Sequence, residues 1–490
     1  MRCFRHLRHC PVVLGIFLLL GCASYSGVHT SAQLLDAEHL KGAETTQAFT
    51  GWPQADWWRV YADPALDALI RKALADNPDL QTVEARVRQA TAIAQGVDGN
   101  RWPQLGLTSE LTRMRLSEHG QFPPPLAGAT QNINEGQLGV AWDLDFFGKH
   151  RANLKAAVGT VRAAEAEQQA ARVWLASQVA QGYVDLARLI AQRVLLQRDQ
   201  TLRGAESQLY ERRYAAGLDN RNEWEAAQSR IAETTRDLAA LEGPIALARH
   251  ALSHLSGQGP QALSRLAPPL PALREPALPV QLPAHLLGHR ADMVAARWRV
   301  EAALQGVEAA RALFYPDINL RAFVGFSSIG SLDHWLESGN RQPGLGLALN
   351  LPLFDAGRLR AHYQAQTADA DAALSSYNAT LLHALREVAD QQAMLQSVMH
   401  QREDQQRMLA SAERTLSLAQ QRDQAGLSGR LPVLRAENAL ILQQRRLTDL
   451  QARELAERIQ LARALGGGYE NQQIATLAAP AAASATVLPH

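Results

Sequence analysis

Apolar residues alternate with small or polar ones along the segment 344–358, which reads GLGLALNLPLFDAGR. Successive side chains of a β-strand point to opposite faces, so this spacing predicts a strand with one apolar face. Most of the remaining chain has the Ala- and Gln-rich composition of long helices, and the apolar face of the strand must find a partner elsewhere. The alternating leucines are Leu345, Leu347, Leu349, Leu351 and Leu353.

The same alternation occurs in three other segments, 105–111, 138–146 and 318–326. A tilted strand of about 9–11 residues crosses a bilayer, and apolar-out, polar-in alternation is typical of transmembrane β-barrels. A soluble antiparallel sheet packed on helices is the alternative interpretation. The residues expected on the polar faces, which would line a barrel lumen, are Glu110, Asp143, Asp145, Asn319, Arg321 and Asn350.

Four strands are too few to close a barrel in a membrane, because an open sheet edge leaves backbone groups unpaired in lipid. The smallest known barrels have about eight strands. A membrane location therefore requires several copies of the chain, and three copies would supply twelve strands.

A very long helix is predicted after the second strand. No proline occurs between Gly148 and Pro244, and the first break is the AAGLDN stretch around Gly217. A helix of roughly seventy residues would be about 100 Å long at 1.5 Å per residue. Apolar residues at heptad-like spacing predict that it packs sideways against other helices; they are Leu175, Val179, Leu186, Leu189 and Leu196.

The chain contains an internal repeat, in which each half reads helix, strand, loop, strand, very long helix, turn, helix. The first two matched pairs of positions are 213 residues apart and the last two are 209 apart, so only one loop differs in length. These pairs are Asp79 and Asp292, Pro103 and Pro316, Gly148 and Gly357, and Gly217 and Gly426.

The repeat divides the main body into two domains. We expect repeat 1 at 66–257 and repeat 2 at 284–468, joined by a proline-rich linker at 258–283 that reads as an extended strap. The composition of the tail, 469–490, predicts disorder.

The N-terminus has the organisation of a targeting signal at 1–21, with basic residues followed by an apolar run at 12–20 that is too short to span a bilayer. The run ends in LLGC at Cys22, which resembles the bacterial lipobox. The resemblance implies cleavage before Cys22, lipid attachment to it and, with Ser24 rather than Asp nearby, delivery to the outer membrane. Residues 22–65 would then be a lipidated arm. The alternative is an ordinary signal peptide with an incidental cysteine.

Composition and motifs exclude several other functions. The net charge of +1 gives no general attraction for nucleic acid. All three cysteines lie in the first 22 residues, so the main body has no disulfide framework. No HExxH, P-loop or dinucleotide motif is present, and the pairs His250/His254 and His285/His289 have no third ligand nearby. We expect no catalytic site, no metal and no cofactor.

Several motifs resemble the outer-membrane factors of the TolC and OprM type. The match covers nearly the whole mature chain, and the stretch LPAHLLGHRADMVAARWRVEAA with the closing LGGGY resembles the MdtP and fusaric-acid-efflux branch most. Ala291 replaces the proline usual in the family before Asp, a change confined to a helix start. The other matching stretches are DWWRVYADPALDALIRKALADNPDL, WDLDFFGKHR, FYPDINL, LPLFDAGRLR and LARALGGGY.

The resemblance implies a mainly α-helical homotrimer with a small β part. Twelve strands would form an outer-membrane barrel, and twelve helical stretches would form a tunnel across the periplasm. The strands would lie near 105–112, 136–147, 317–326 and 344–354, and the apolar leucines would face lipid. The segments 113–135 and 327–343 would be extracellular loops.

The resemblance also implies the function and the partners. The chain would be the exit duct of a drug-efflux system, working with a periplasmic adaptor and an inner-membrane pump, and it would not be an enzyme. The turns at Gly217–Leu218 and Gly426–Leu427 would be the periplasmic tips that meet the adaptor. Two alternatives are an exit duct for type I protein secretion and a structural lipoprotein without a transport role.

A gate is expected near these tips, where TolC-like relatives have an acidic constriction. The matching positions here are Pro432 and Arg435, so an acidic ring is not expected. The hypothesis is that Glu223 or Glu225 forms ion pairs with arginines of the other tip, among them Arg430 and Arg435, and so holds the tips closed. The alternative is that these are solvated surface charges, worth under about 1 kcal/mol each.

Overall fold

The computed structural model describes residues 24–35, 54–271 and 290–469. The targeting signal at 1–21, Cys22, residues 36–53 of the predicted arm, residues 272–283 of the proline-rich linker and the tail from residue 470 lie outside the described residues. The described part is mainly helical and contains one four-stranded sheet. The sheet, the adjoining helix ends and the N-terminal segment form one compact unit, and the remaining helical segments form a second.

From the helix before its first strand onward, each half of the chain has the same element order and the same helix lengths, and the helix 64–76 precedes this repeated part. The helices α2 (Pro78–Gly99) and α5 (Ala291–Ala312) have 22 residues each. The helices α3 (Lys149–Ala215) and α6 (Arg358–Gln424) have 67 each, and α4 (Arg221–Leu255) and α7 (Arg430–Ala464) have 35 each. The internal duplication predicted from the sequence is therefore confirmed, and α5 begins at Ala291 without the usual proline. In chain order the elements are α1 (Pro64–Asp76), α2 (Pro78–Gly99), β1 (Gln104–Arg115), β2 (Thr130–Leu144), α3 (Lys149–Ala215), α4 (Arg221–Leu255), α5 (Ala291–Ala312), β3 (Asp317–Ile329), β4 (Arg341–Asn350), α6 (Arg358–Gln424) and α7 (Arg430–Ala464).

The register of the sheet places most of the apolar residues of the four strands on one face, with Phe323 an exception on the polar face. The strands are antiparallel in the order β1-β2-β3-β4, and residues paired across such strands share a face. Trp142 pairs with Leu320, which pairs with Leu347. The predicted alternation is therefore confirmed over 105–111, 138–144, 318–326 and 345–349. The apolar face carries Leu105, Leu107, Leu111, Leu138, Val140, Trp142, Leu144, Ile318, Leu320, Val324, Leu345, Leu347 and Leu349.

The strand ends differ from the sequence prediction. Strands β1 and β2 continue through polar residues, so the loop between them is 116–129 rather than 113–135, and that between β3 and β4 is 330–340 rather than 327–343. Pairing of backbone groups continues there although the hydrophobic alternation stops. Strand β4 ends at Asn350, so Leu351 and Leu353 lie beyond it, where Pro352 has no N–H to donate.

The largest buried cluster lies in the helical unit. Tyr183 of α3 is almost fully buried and donates a hydrogen bond to Asp63 at 2.7 Å. The same carboxylate accepts from the backbone N–H groups of Ala65 and Leu66 and so caps α1. Burial raises the pKa of Tyr61 in this cluster to about 12. These contacts fix the start of the first repeat against the long helix α3.

No helix of the described segments is both long enough and apolar enough to cross a membrane.

Candidate functional site

Five of the six residues predicted for a lumen lie on the polar face of the sheet. Asp143 pairs with Asn319, Asn350 pairs with Asp317, and Arg321 has small residues on both sides. Glu110 pairs with Glu135 of β2, so two carboxylates stand side by side on this face. Sequence analysis missed Glu135 because it assigned that position to a loop.

Asp145 is a correction to the prediction, because it does not lie in a strand. Strand β2 ends at Leu144, and the Asp145 carboxylate accepts hydrogen bonds from the backbone N–H groups of His150 (3.1 Å) and Arg151 (2.9 Å). It therefore satisfies the unpaired N–H groups at the beginning of α3. Asp355 does the same for Leu359 at the beginning of α6, at 2.7 Å.

The junction between the sheet and α3 is held by charge. Lys149 donates hydrogen bonds from Nζ to Asp143 at 2.7 Å and to Asp317 at 3.2 Å. His150 Nε2 lies 2.7 Å from the same oxygen of Asp143. Burial opposes the charged form of Lys149, but the hydrogen bonds to the two carboxylates outweigh it and raise the pKa of the lysine. One carboxylate oxygen of Asp143 is thus held by Lys149 and His150, whereas Glu110 accepts a hydrogen bond from Thr112 of its own strand at 3.0 Å.

The two predicted tips have the same geometry. Gly217 and Gly426 both have positive φ, at 69° and 72°. In each turn the N–H of the following leucine bonds back to the helix, from Leu218 to the Arg213 carbonyl (2.8 Å) and from Leu427 to the Arg422 carbonyl (2.9 Å). This pattern is a Schellman motif, which requires a left-handed residue and so favours glycine.

The turns also expose apolar side chains. Leu218 and Leu427 are 68% and 79% exposed, although large apolar residues are usually covered. An added Cβ at Gly217 or Gly426 would meet no atom within 4 Å. Both tips therefore present a bare glycine beside an exposed leucine, which is a surface suited to contact with another molecule.

The four residues of the gate hypothesis do not pair with one another within the protomer. Glu225 is bound by Arg221 at 3.2 Å, and Arg430 lies 3.6 Å from Glu437. No ion pair in the described part of the chain joins Glu223 or Glu225 to Arg430 or Arg435. Pairs between protomers stay a prediction.

Arg435 instead binds a buried residue that sequence analysis missed. Its Nη2 donates to Tyr210 Oη at 2.6 Å, and Tyr210 is 2% exposed. One turn earlier on α3, Glu206 accepts from Asn438 at 3.2 Å and lies 3.5 Å from Arg230. The end of α3 is thus bound to both α7 and α4. In the sequence, the only signal for these contacts is that Glu206 and Tyr210 are spaced to lie on one face of the helix.

The N-terminal segment 24–35, which we call the strap, is hydrogen-bonded to α6. The backbone N–H groups of Ser31 and Ala32 donate to Asp371 at 2.9 and 3.0 Å, and the Ser31 hydroxyl adds a bond of 2.9 Å. The hydrogen bond from Ala32, followed by those from Ser31, lowers the pKa of Asp371. These contacts hold the chain a few residues after Cys22 in a fixed place.

An aromatic cluster holds the beginning of this segment next to the start of β3. The Tyr25 ring contacts Phe314 and Tyr363 at centroid distances of 5.3 and 5.7 Å, and its hydroxyl lies 3.2 Å from that of Tyr315. The Arg311 guanidinium lies 5.2 Å above the same ring. Residue 25 is therefore held at the end of the sheet from which the helices extend.

No group of three or more His, Cys, Asp or Glu side chains in the described ranges could hold a metal ion. Of the two histidine pairs, His285 and His289 lie outside those ranges.

A small sheet with one exposed apolar face, continued by four long paired helices, defines a TolC-like channel protein. The model of the family described as outer membrane efflux protein matches residues 69–258 and 282–467. The chain therefore belongs to the outer membrane efflux protein family. It is a transport channel protein of the Gram-negative outer membrane and periplasm, not an enzyme, and the predicted resemblance and fold class are confirmed.

Individual relatives agree with this assignment. The chain is 32% identical over 470 residues to the multidrug resistance outer membrane protein MdtP of Shigella flexneri, a match that covers 94% of this chain and 96% of MdtP. It is 36% identical over 363 residues to the fusaric acid resistance protein FusA of Burkholderia cepacia, covering 73% and 68%. The structure of the Vibrio cholerae outer membrane protein VceC matches with a TM-score of 0.78 and 37% identity, covering 86% of this chain and 100% of VceC.

Proposed function

We propose that three copies of this chain form the outer-membrane exit duct of a tripartite small-molecule efflux system. The observation that carries the proposal is the sheet, whose apolar face is exposed and whose outer strands β1 and β4 are open edges. An open edge in lipid is costly, so each edge needs a strand from another copy. Three four-stranded sheets would close into a barrel of twelve strands.

The proposed trimer assigns a solvent to each face of the sheet. Leu345 and Leu107, both 78% exposed, would face hydrocarbon. Glu110, Asp143, Asn319, Arg321 and Asn350 would face the water-filled lumen together with Glu135. The acidic pair Glu110–Glu135, present three times around the lumen, would favour cations over anions.

The proposed protein partners meet the duct at the tips of its long helices. The exposed tip residues Gly217, Leu218, Gly426 and Leu427 would dock a periplasmic adaptor, which connects the duct to an inner-membrane pump. Relatives named for resistance to several drugs and to fusaric acid support small molecules as the transported class.

Lipid attachment at Cys22 is part of the same proposal. The strap and the aromatic cluster around Tyr25 support it, because they hold the chain at the end of the sheet from which the helices extend. That end would lie at the periplasmic surface of the outer membrane, within reach of an acyl chain on Cys22. In this proposal the mature protein consists of a lipidated arm at 22–65 and two repeat domains at 66–257 and 284–468.

The gate is proposed to close at the tips. The bond from Arg435 to Tyr210, with the contacts of Glu206, would hold α3 and α7 of one protomer together. Ion pairs of Glu223 or Glu225 with Arg430 of the next protomer would add to closure. Threefold repetition makes even weak pairs count, because opening breaks all copies.

Deletion of the gene tests the transported class. Efflux predicts that the deletion strain becomes susceptible to small toxic compounds while its secreted proteins are unchanged, and that the wild-type gene restores resistance. Loss of a secreted protein with unchanged susceptibility would contradict efflux and support type I secretion. Full wild-type behaviour in both assays would support a structural lipoprotein.

A further inference from the structure

A cavity of about 380 Å³ opens where the sheet meets the helices. The turn 100–103, between α2 and β1, forms one side of it, and the end of β2 forms the other. All of the residues that line it belong to the compact unit that contains the sheet. They are Arg101, Trp102, Trp142, Asp143, Leu144, Asp145, Phe146 and Arg151.

The walls of the cavity continue the apolar face of the sheet. Trp142 lies on that face, and its indole N–H donates to the Arg101 carbonyl at 3.0 Å, which fixes the ring against the turn. Trp102 and Phe146 are 62% and 63% exposed. Three aromatic rings therefore meet at the end of a surface that the proposed trimer turns toward hydrocarbon. Trp rings are enriched at that depth, where hydrocarbon gives way to headgroups.

Two guanidinium groups stand at the edge of these rings. Arg101 binds Asp98 at 2.8 Å, and Arg151 lies 3.4 Å from Asp145. Their side chains are 39% and 61% exposed. A guanidinium carries five N–H donors, so one carboxylate partner leaves several for an incoming anion. Phosphate oxygens match the planar fork of an arginine better than they match a lysine.

We propose that this cavity binds a phospholipid of the periplasmic leaflet. The phosphate lies between Arg101 and Arg151, and one acyl chain runs along Trp102, Trp142 and Phe146 onto the apolar face. The inference rests on the proposed function, since it requires that this face contact lipid. Apolar rings beside two arginines fit an amphiphile with an anionic head, whereas a free phosphate would leave the rings exposed. The carboxylates that also line the cavity already have cationic partners, Asp145 in Arg151 and Asp143 in Lys149.

Native mass spectrometry of the purified full-length protein, stripped of lipid and titrated with phosphatidylglycerol, tests the proposal. The wild type is expected to bind one phospholipid per protomer. Replacing both cations, Arg101→Gln with Arg151→Gln, removes charge-assisted hydrogen bonds and is expected to weaken binding by about tenfold or more. The matched control is Arg113→Gln with Arg341→Gln, which changes exposed arginines at the far end of β1 and β4 and is expected to leave binding unchanged.

Three outcomes would overturn the proposal: equal binding by the wild type and the Arg101/Arg151 variant, an equal loss in the control pair, or competition by inorganic phosphate as strong as that by lipid. Trp142→Phe provides a variant that keeps both charges, and it is expected to weaken binding because the ring loses its bond to the turn. The occupant could instead be the acyl chain of Cys22. In that case only Cys22→Ala would take up phosphatidylglycerol, which would also contradict the proposal.

The lipid count is independent of transport. A folded protein that binds phospholipid at this cavity but forms no channel would contradict the proposed function and leave the lipid site standing. A channel with normal conductance and no bound lipid would do the reverse.

Discussion

At the scale of single residues, neighbours along a strand of this protein meet opposite solvents. Leu347 lies on the apolar face beside Leu320, whereas Ala348, one position later, pairs with Asn319 on the polar face. The side-chain period of two makes this distinction sharp. A pair of adjacent substitutions can therefore test which face contacts hydrocarbon.

Leu347→Arg is expected to lower the yield of membrane-inserted trimer. A charge on the lipid face near the middle of the bilayer costs about 2–4 kcal/mol per protomer. Ala348→Arg introduces the same side chain on the lumen face and is the control, with trimer yield near that of the wild type. Native electrophoresis of outer-membrane fractions measures the yield. Equal yields of the two variants would show that the faces are assigned wrongly.

At the scale of secondary-structure elements, the long helices α3 and α6 end in turns that are nearly identical. The N-terminal segment 24–35 is hydrogen-bonded to α6. Both turns combine a left-handed glycine with an exposed leucine. In the strap, Asp371 accepts three hydrogen bonds, and Asn378 donates a further one to the Gln33 carbonyl at 2.8 Å. Each of these features can be weakened by one substitution.

Leu427→Asp is expected to abolish efflux while the trimer still assembles. The charge would sit on the apolar tip that is proposed to contact the adaptor. Leu247 of α4 has a similar exposure, 68%, and lies far along the helix from the tip. The Leu247→Asp variant is therefore the comparison, and it is expected to retain efflux. Drug susceptibility and crosslinking of position 427 to the adaptor are the measurements. Efflux that survives in the Leu427 variant would exclude docking at this tip.

The strap is expected to loosen in acid. Hydrogen bonds lower the pKa of Asp371 in the folded state. Their contribution to the stability of the strap is therefore complete above the ordinary aspartate pKa of about 3.9. It is lost as the pH falls through the lower, folded value. At neutral pH, Asp371→Asn is expected to speed hydrogen exchange in segment 24–35, and Asp369→Asn, two residues away on α6, is the control. Unchanged hydrogen exchange in the Asp371 variant would show that this carboxylate does not hold the strap in place.

Element order, helix lengths and the two faces of the sheet could be predicted because they repeat at short period or at fixed offset. Strand ends could not, since β2 begins among polar residues near Glu135 whose backbone pairing has no sequence pattern. Asp145 looked like a strand residue because it continues the alternation, but it caps a helix. The bond between Tyr210 and Arg435 spans 225 residues and depends on how helices align, which local spacing does not encode.

At the scale of the whole molecule, the proposed duct is a trimer that is closed at rest near its tips. In the proposed gate, closure within each protomer depends on the bond between Arg435 and Tyr210, which joins α7 to α3. The same bond occurs three times around the proposed pore, so its loss acts on every protomer at once.

Tyr210→Phe is expected to raise the conductance of the purified protein. It removes only the hydroxyl that accepts from Arg435, and a hydrogen bond to a charged group contributes about 1.5–3 kcal/mol. Tyr214→Phe is the matched control, because the ring of Tyr214 stacks on Trp224 and keeps that contact without its hydroxyl. Equal conductance of the two variants would show that the bond between Tyr210 and Arg435 does not contribute to the gate.

Single-channel recording of the purified wild-type protein in planar lipid bilayers tests the central claim most directly. The account predicts discrete conductance steps that favour cations, because Glu110 and Glu135 lie side by side on the proposed lumen face. The steps should be small at rest and larger in Tyr210→Phe. A folded trimer that gives no steps, as wild type and as Tyr210→Phe, would contradict the account.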